Sequence, residues 1–189
     1  VYLVFSGQAI LGTRAKKTKS KSYAAFSSIN YPVAAFIDGK RVIRYTDLDR
    51  QEGAPRFFHN LVPKVFLLKL IPGMEPEILE YLADHYDAIV IESYGVGGIP
   101  FHNKRNFLQK LQALTEKGKL VVLATQVMLE GSDAEVYEVG ARAIRQYNAL
   151  QAYDMTVEAA VVKLMWIMGQ TRDPEKMRQL FYQPVQHDI

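Results

Sequence analysis

The sequence predicts an α/β protein whose second half is a parallel sheet flanked by helices. Three observations predict it. Residues 88–91 and 120–124 are short, continuously apolar runs, the pattern of strands buried on both faces, and 65–71 reads as a further strand. Between them, 75–86 carries Ile78, Leu79 and Leu82 at helical spacing, and 106–116 carries Phe107, Leu108, Leu111 and Leu114. The connections are short, and strand, helix, strand, helix, strand with short links implies parallel pairing through right-handed crossovers.

Taken in order, 1–5 reads as a buried strand and 8–11 as its hairpin partner across Ser6-Gly7. The opening VYLVF has the character of a strand interior and no initiator methionine, which predicts further chain upstream. Segment 13–22 carries Arg14, Lys16, Lys17, Lys19 and Lys21 in a polar background. It reads as a solvated loop or exposed edge strand, where alternating lysines oppose pairing with other chains. The sharper alternative is an anion or effector site. Nucleic acid is disfavoured, because no aromatic residue interleaves the basic stretch before Tyr23 and Phe26.

Residues 33–37 and 41–45 flank Asp38-Gly39, a strong hairpin signal. Segment 47–63 turns polar, contains Gly53, Pro55 and Pro63, and reads as a linker. Beyond it, strand 65–71 meets a Pro72-Gly73 turn and the helix 75–86 follows. The run 88–92 stops in Gly95-Val96-Gly97-Gly98 and Pro100, where glycines let a ligand approach the main chain. The second helix is stopped by Gly118, and strand 120–124 follows. From about 135 to 170 the chain looks helical, with Asp154 placed to cap a helix starting near Thr156. A last short helix spans 175–181.

Composition narrows the function classes. With 49% hydrophobic and 23% charged residues, the 189-residue chain is ordinary for a folded protein. It has no cysteine, which excludes disulfides and thiolate metal sites and fits a cytoplasmic protein. No apolar stretch reaches the roughly 18 residues that a membrane span needs. A net charge of +3 does not by itself imply nucleic acid.

Three loops leave the carboxyl ends of the strands, and parallel packing brings them to one edge. The third holds Thr125, Gln126, Glu130, Ser132, Asp133 and Glu135. As bare chemistry, Glu135 or Asp133 could grip an amine and Gln126 an amide; alternatively Ser132 and Asp133 only cap the helix that follows. GVGG lacks the dinucleotide-binding spacing, and Ser93 does not sit in a nucleophile elbow. His59, His85, His102 and His187 are scattered without metal-ligand spacing, and Trp166 among Leu164, Met165 and Met168 reads as core. Read from the residues alone, the sequence reaches an α/β binding edge and supplies no activated nucleophile.

Several motifs go further. ESYGVGGIP at 92–100, LATQ at 123–126, GSDAEVYEVG at 131–140 and DMTVEA at 154–159 resemble, in order, the loops of bacterial cytoplasmic (type I) L-asparaginases. Phe5, Gly12-Thr13-Arg14 and FSSINYP at 26–32 resemble the hairpin and following segment late in that family's first domain. The resemblance implies a smaller carboxyl-terminal α/β domain at 64–189, joined by the 47–63 linker to the final hairpins of a larger amino-terminal α/β domain at 1–46. It also implies a homo-oligomer (dimer or tetramer) acting on L-asparagine in the cytoplasm, without metal or cofactor.

In the family, a threonine attacks the side-chain amide, giving an acyl-enzyme and releasing ammonia, then aspartate. The T-G-G-T-I-A-like and H-G-T-D-T-M-like segments that carry this chemistry do not occur in these 189 residues. The resemblance therefore implies no catalytic residue here and inactivity without a companion segment. What it implies is substrate binding across a subunit interface, with Glu135 foremost. Family members often have Asn where this chain has Gly98; nearby Asn103 replaces it, or that contact is missing. Asp133 completes the set. Arg14, Lys16, Lys17 and Val127 match a region where some members bind a second asparagine as activator. Rival expectations are a non-catalytic amino-acid-binding or assembly module, and a small-molecule sensor of flavodoxin-like shape.

Overall fold

Tyr2–Phe5 (β1) pairs antiparallel with Gln8–Leu11 (β2) in a computed structural model that describes residues 1–46, 53–102 and 105–189. Ser6 and Gly7 turn between them at φ 49° and 75°, a left-handed pair that matches the twist of a tight hairpin. Ala35–Asp38 (β5) and Arg41–Arg44 (β6) extend this sheet in the order β1-β2-β5-β6. Asp38 pairs with Arg41, so the turn residues are Gly39 and Lys40, one position later than the sequence predicts. Register places Tyr2, Val4 and Val42 on one face, and they are 43%, 57% and 61% exposed.

The basic segment is not a solvated loop throughout. Ala15–Lys17 (β3) pairs with Phe26–Ser28 (β4) in a separate two-stranded ribbon, and Arg14 is buried. The expected linker is described from Gly53 onward, 47–52 lying outside the described residues, and it forms neither helix nor strand up to Lys64. Val62 N–H donates to Met165 O at 2.9 Å, and Phe58 meets the half-buried Trp166 ring edge-on at 5.4 Å.

The second half is the predicted parallel α/β unit with one strand more. Val65–Lys69 (β7), Ile78–His85 (α1), Ala88–Ser93 (β8), Phe107–Glu116 (α2), Leu120–Thr125 (β9), Glu138–Tyr147 (α3), Leu150–Gln151 (β10), Val157–Gln170 (α4) and Pro174–Tyr182 (α5) follow in turn. The sheet order is β10-β9-β8-β7, parallel throughout. The stretch expected to be helical from 135 to 170 is thus two helices divided by a strand. Two residues with one polar side chain, Gln151, give no periodic signal in the sequence.

Because the strands add in one direction, right-handed crossovers put α1, α2 and α3 on one face and leave the other to α4 and α5. Ile89, Ile91, Val121 and Leu123 pack against Leu79, Phe107, Leu111 and Leu114; Val90, Val122 and Ala124 pack against Ala160, Leu164, Ile167 and Phe181. Each such buried leucine or phenylalanine contributes about 1.5–3 kcal/mol.

A sequential order also has no point of reversal, where open α/β sheets usually place a ligand at the carboxyl edge. The ribbon of β3 and β4 roofs that edge instead, meeting the loop between β10 and α4. Arg14 pairs with the Asp154 carboxylate at 2.9 Å and donates to Asp154 O and His187 O. The cap of α4 is therefore Thr156, whose hydroxyl accepts from Ala159 N–H at 3.2 Å, and not Asp154.

Candidate functional site

The loops after β7, β8 and β9 meet at the carboxyl edge as expected, and hydrogen bonds lock them together. Gln126, at the end of β9, donates from its amide to Leu70 O at 2.6 Å and to Glu92 O at 3.0 Å. Its NH2 group is a structural tie between three strand ends, with both protons engaged. Thr125 likewise donates to Gly95 O and accepts from Val127 N–H. Ser93, fully buried, donates to Ala124 O at 2.6 Å.

Within the glycine loop, Gly97 makes a close backbone approach. Gly97 has φ 146°, and a methyl placed on it would lie 2.5 Å from the Ala134 Cα. Gly140, inside α3, meets the same residue, where a methyl would lie 2.0 Å from Ala134 O. Ala134 opens the 3₁₀ turn Ala134–Val136, so this turn is clamped between the glycine loop and α3. Gly131 has the same role slightly earlier in the loop, against the Asp154 Cα.

The clamp fixes Glu135. Asp133 caps the turn, its carboxylate accepting from Glu135 N–H at 3.2 Å. The Glu135 carboxylate is exposed at the edge and accepts from Arg145 Nε at 2.9 Å. From beneath, Gln151 donates to Ser132 O at 2.9 Å, and Gln151 N–H donates to the Tyr182 hydroxyl at 3.0 Å. Burial pushes the Tyr182 phenol above its ordinary value, so it stays neutral as that acceptor.

The fold thus brings Gly98, Asp133 and Glu135 to neighbouring loops. Gly98 is bound to Tyr94 by two main-chain hydrogen bonds, of 2.9 and 2.7 Å. Asn103 lies outside the described residues. The other expected set lies under the ribbon. Lys16 and Val127 line a cavity of about 190 Å³ with Asn30, Lys69, Glu92 and Gln126. Arg14 is 2% exposed and its guanidinium is committed to Asp154, while Lys17 alternates to the exposed side of β3. Lys16 itself is held by Glu158 through bonds of 2.9 and 3.1 Å.

Sequence reasoning does not reach Arg145 or Asn30. Arg145 lies ten positions from Glu135 on another element, and Asn30 bridges Asp154 O and Glu130 N–H from far along the chain. Neither shows a local signal. Among the described residues, no group of His, Asp and Glu is placed to hold a metal, and no helix is long and apolar enough to cross a membrane.

An open parallel sheet with helices on both faces and an exposed acidic side chain at its carboxyl edge, where such sheets usually bind ligands, is the class of α/β protein this fold defines. The Glutaminase/Asparaginase C-terminal domain family matches residues 64–181, and the family described as Asparaginase, N-terminal matches 1–50. The chain belongs to the asparaginase family.

The L-asparaginase of Thermococcus kodakarensis is 40% identical over 189 residues, all of this chain and 57% of that protein. The structure of the thermostable L-asparaginase from the same organism superposes with a TM-score of 0.94 at 39% identity, covering 100% of this chain and 56% of that one. L-asparaginase I of Vibrio cholerae shares the fold, with a TM-score of 0.84 at 24% identity over 100% of this chain and 56% of that one. A glutamyl-tRNA(Gln) amidotransferase subunit from Metallosphaera sedula is 32% identical over 177 residues, 89% of this chain and 38% of that protein. The chain spans about half the length of the asparaginases it matches.

Proposed function

We propose that this chain is the carboxyl-terminal portion of an L-asparaginase and contributes substrate-binding and oligomer contacts to hydrolysis of asparagine to aspartate and ammonia. The observation that carries this reading is the 40% identity to an L-asparaginase, which extends over all 189 residues. The nucleophilic threonine comes from a segment not among these residues, so the chain alone is inactive. In the assembled enzyme, that threonine attacks the side-chain amide, ammonia leaves, and water releases aspartate from the acyl-enzyme.

Glu135 binds the substrate's α-ammonium across a subunit interface, with Gly98 and Asp133 on the neighbouring loops; Asn103 supplies the contact that family members make at the position of Gly98, or that contact is missing. A carboxylate suits the task because a charge-assisted hydrogen bond to an ammonium is stronger than a neutral one. The exposed apolar face of Tyr2, Val4 and Val42 supports the companion segment, since such a face is what the remainder of an amino-terminal asparaginase domain would cover. Under the ribbon, the cavity lined by Lys16 and Val127 is the proposed effector site, with Arg14 holding its roof in place and Lys17 turned away from it. The cysteine-free composition suits a cytoplasmic enzyme.

The test is ammonia release from asparagine by the 189-residue chain, alone and with the missing amino-terminal segment supplied. Activity only in the supplemented sample supports the reading. Activity in the chain alone overturns the mechanism. No activity in either, with the added segment folded and bound, favours a non-catalytic amino-acid-binding or assembly module.

A further inference from the structure

We propose that Arg145 is a positioning residue for substrate binding, holding one oxygen of the Glu135 carboxylate so that the other is presented to the substrate's α-ammonium. The inference rests on the reading of Glu135 given above and adds a residue that nothing in the motifs marks.

The geometry carries it. Arg145 Nε donates to Glu135 Oε1 at 2.9 Å, and among the described residues Oε2 has no partner. A carboxylate offers about four lone-pair sites on two oxygens, so one oxygen can be held while the second receives an ammonium. The two side chains sit on different elements, yet the distance between those elements is not adjustable. Gly140 lets α3 approach the 3₁₀ turn until Ala134 O stands 2.0 Å from where a methyl would be, and Gly97 brings the glycine loop equally close to the same residue. The base of Glu135 and the helix carrying Arg145 therefore form one rigid unit.

Within that unit, the glutamate side chain is still long and 43% exposed. Left alone it would sample several rotamers, and ordering one of them would be charged against substrate affinity. Arg145 selects a rotamer before substrate arrives. Its neighbour Arg142 is turned to Gln146, at 3.5 Å, and does not compete for Glu135.

The experiment uses the chain supplemented with the amino-terminal segment, comparing wild type, Arg145→Gln, Arg145→Lys and Glu135→Gln with its double variant. Arg145→Gln should raise KM for asparagine about three- to fivefold, the ceiling for an exposed ion pair, with kcat and Tm unchanged. Arg145→Lys should restore most of the affinity. In the Glu135→Gln background, Arg145→Gln should add nothing, since the two act through one carboxylate. An unchanged KM overturns the proposal, as does a lower KM, which would make Arg145 a competitor of the substrate. A fall in kcat at constant KM overturns it too. Absence of asparagine-dependent ammonia from the wild-type assembly would instead remove the reading of function beneath it.

Discussion

Arg14 and Asp154 form a 2.9 Å ion pair across 140 positions of sequence, and the arginine is 2% exposed while the aspartate is 36% exposed. This pair joins the ribbon to the entrance of α4, and Arg14 also reaches His187 O near the carboxyl terminus. The exposure difference makes the two ends unequal. Asp154→Ala removes the countercharge of a buried guanidinium that keeps only main-chain acceptors, and should cost about 1.5–3 kcal/mol. Arg14→Met leaves a carboxylate that water can reach, so it should cost clearly less. Urea denaturation of both variants checks the order, and equal losses would contradict it.

Gly140 sets two physical effects against each other. It sits inside α3, where replacing glycine by alanine ordinarily stabilises by about 0.8–1 kcal/mol. Here the added methyl would stand 2.0 Å from Ala134 O, so Gly140→Ala should destabilise strongly. Gly118→Ala is the comparison: it has φ 72° and open space around it, so only the modest cost of its backbone conformation applies. Thermal melts that rank Gly140→Ala as the milder change would refute the clamp.

Tyr182 makes stability pH-dependent at the alkaline end. Its phenol is raised above the ordinary value of 10.0, chiefly by burial, so the folded state favours the neutral form. That contribution is complete below about pH 10 and is lost as pH rises through the higher folded value. Tm should therefore decline above about pH 10. Tyr182→Phe should flatten that decline while lowering Tm at neutral pH, because Gln151 N–H loses its acceptor.

Glu135 carries the substrate contact of the proposed function. Replacing it by glutamine removes the charge but keeps the shape, and a hydrogen bond to a charged group is worth roughly 1.5–3 kcal/mol. Glu135→Gln should then raise KM for asparagine about 10- to 100-fold in the supplemented enzyme. Asparagine saturation curves measure it, and an unaltered KM would remove Glu135 from the site.

Thr156 tests the helix start. Thr156→Ala should cost about 0.5–2 kcal/mol through loss of the cap on α4. The same denaturation experiments report it, and a neutral result would return the cap to Asp154.

Much of this architecture was legible in local pattern. The apolar runs at β7, β8 and β9 and the amphipathic faces of α1 and α2 are properties of neighbouring residues, because a buried strand or a one-sided helix must write its environment into its own sequence. The site was legible only in some of its residues. The GSDAEV motif names Glu135 and Asp133, which the fold sets on one turn, whereas the NH2 group of Gln126, expected as an amide-gripping side chain, is engaged in tying strand ends together. The glycine loop was expected to open the main chain, and Gly97 does so for Ala134, a partner no local pattern shows.

By itself, then, the sequence determined the layers of the second half, the hairpins of the first, and the family to which both belong. Tertiary structure alone decided what each polar group is for. β10 exists because Leu150 and Gln151 find the open edge of β9, Arg14 is buried because Asp154 and His187 O meet it there, and Arg145 stands beside Glu135 because two glycines let backbones touch. The physical reason is one of range. Periodicity and capping act between residues a few positions apart, while ion pairs, close backbone contacts and strand additions join residues whose separation in the chain carries no signal.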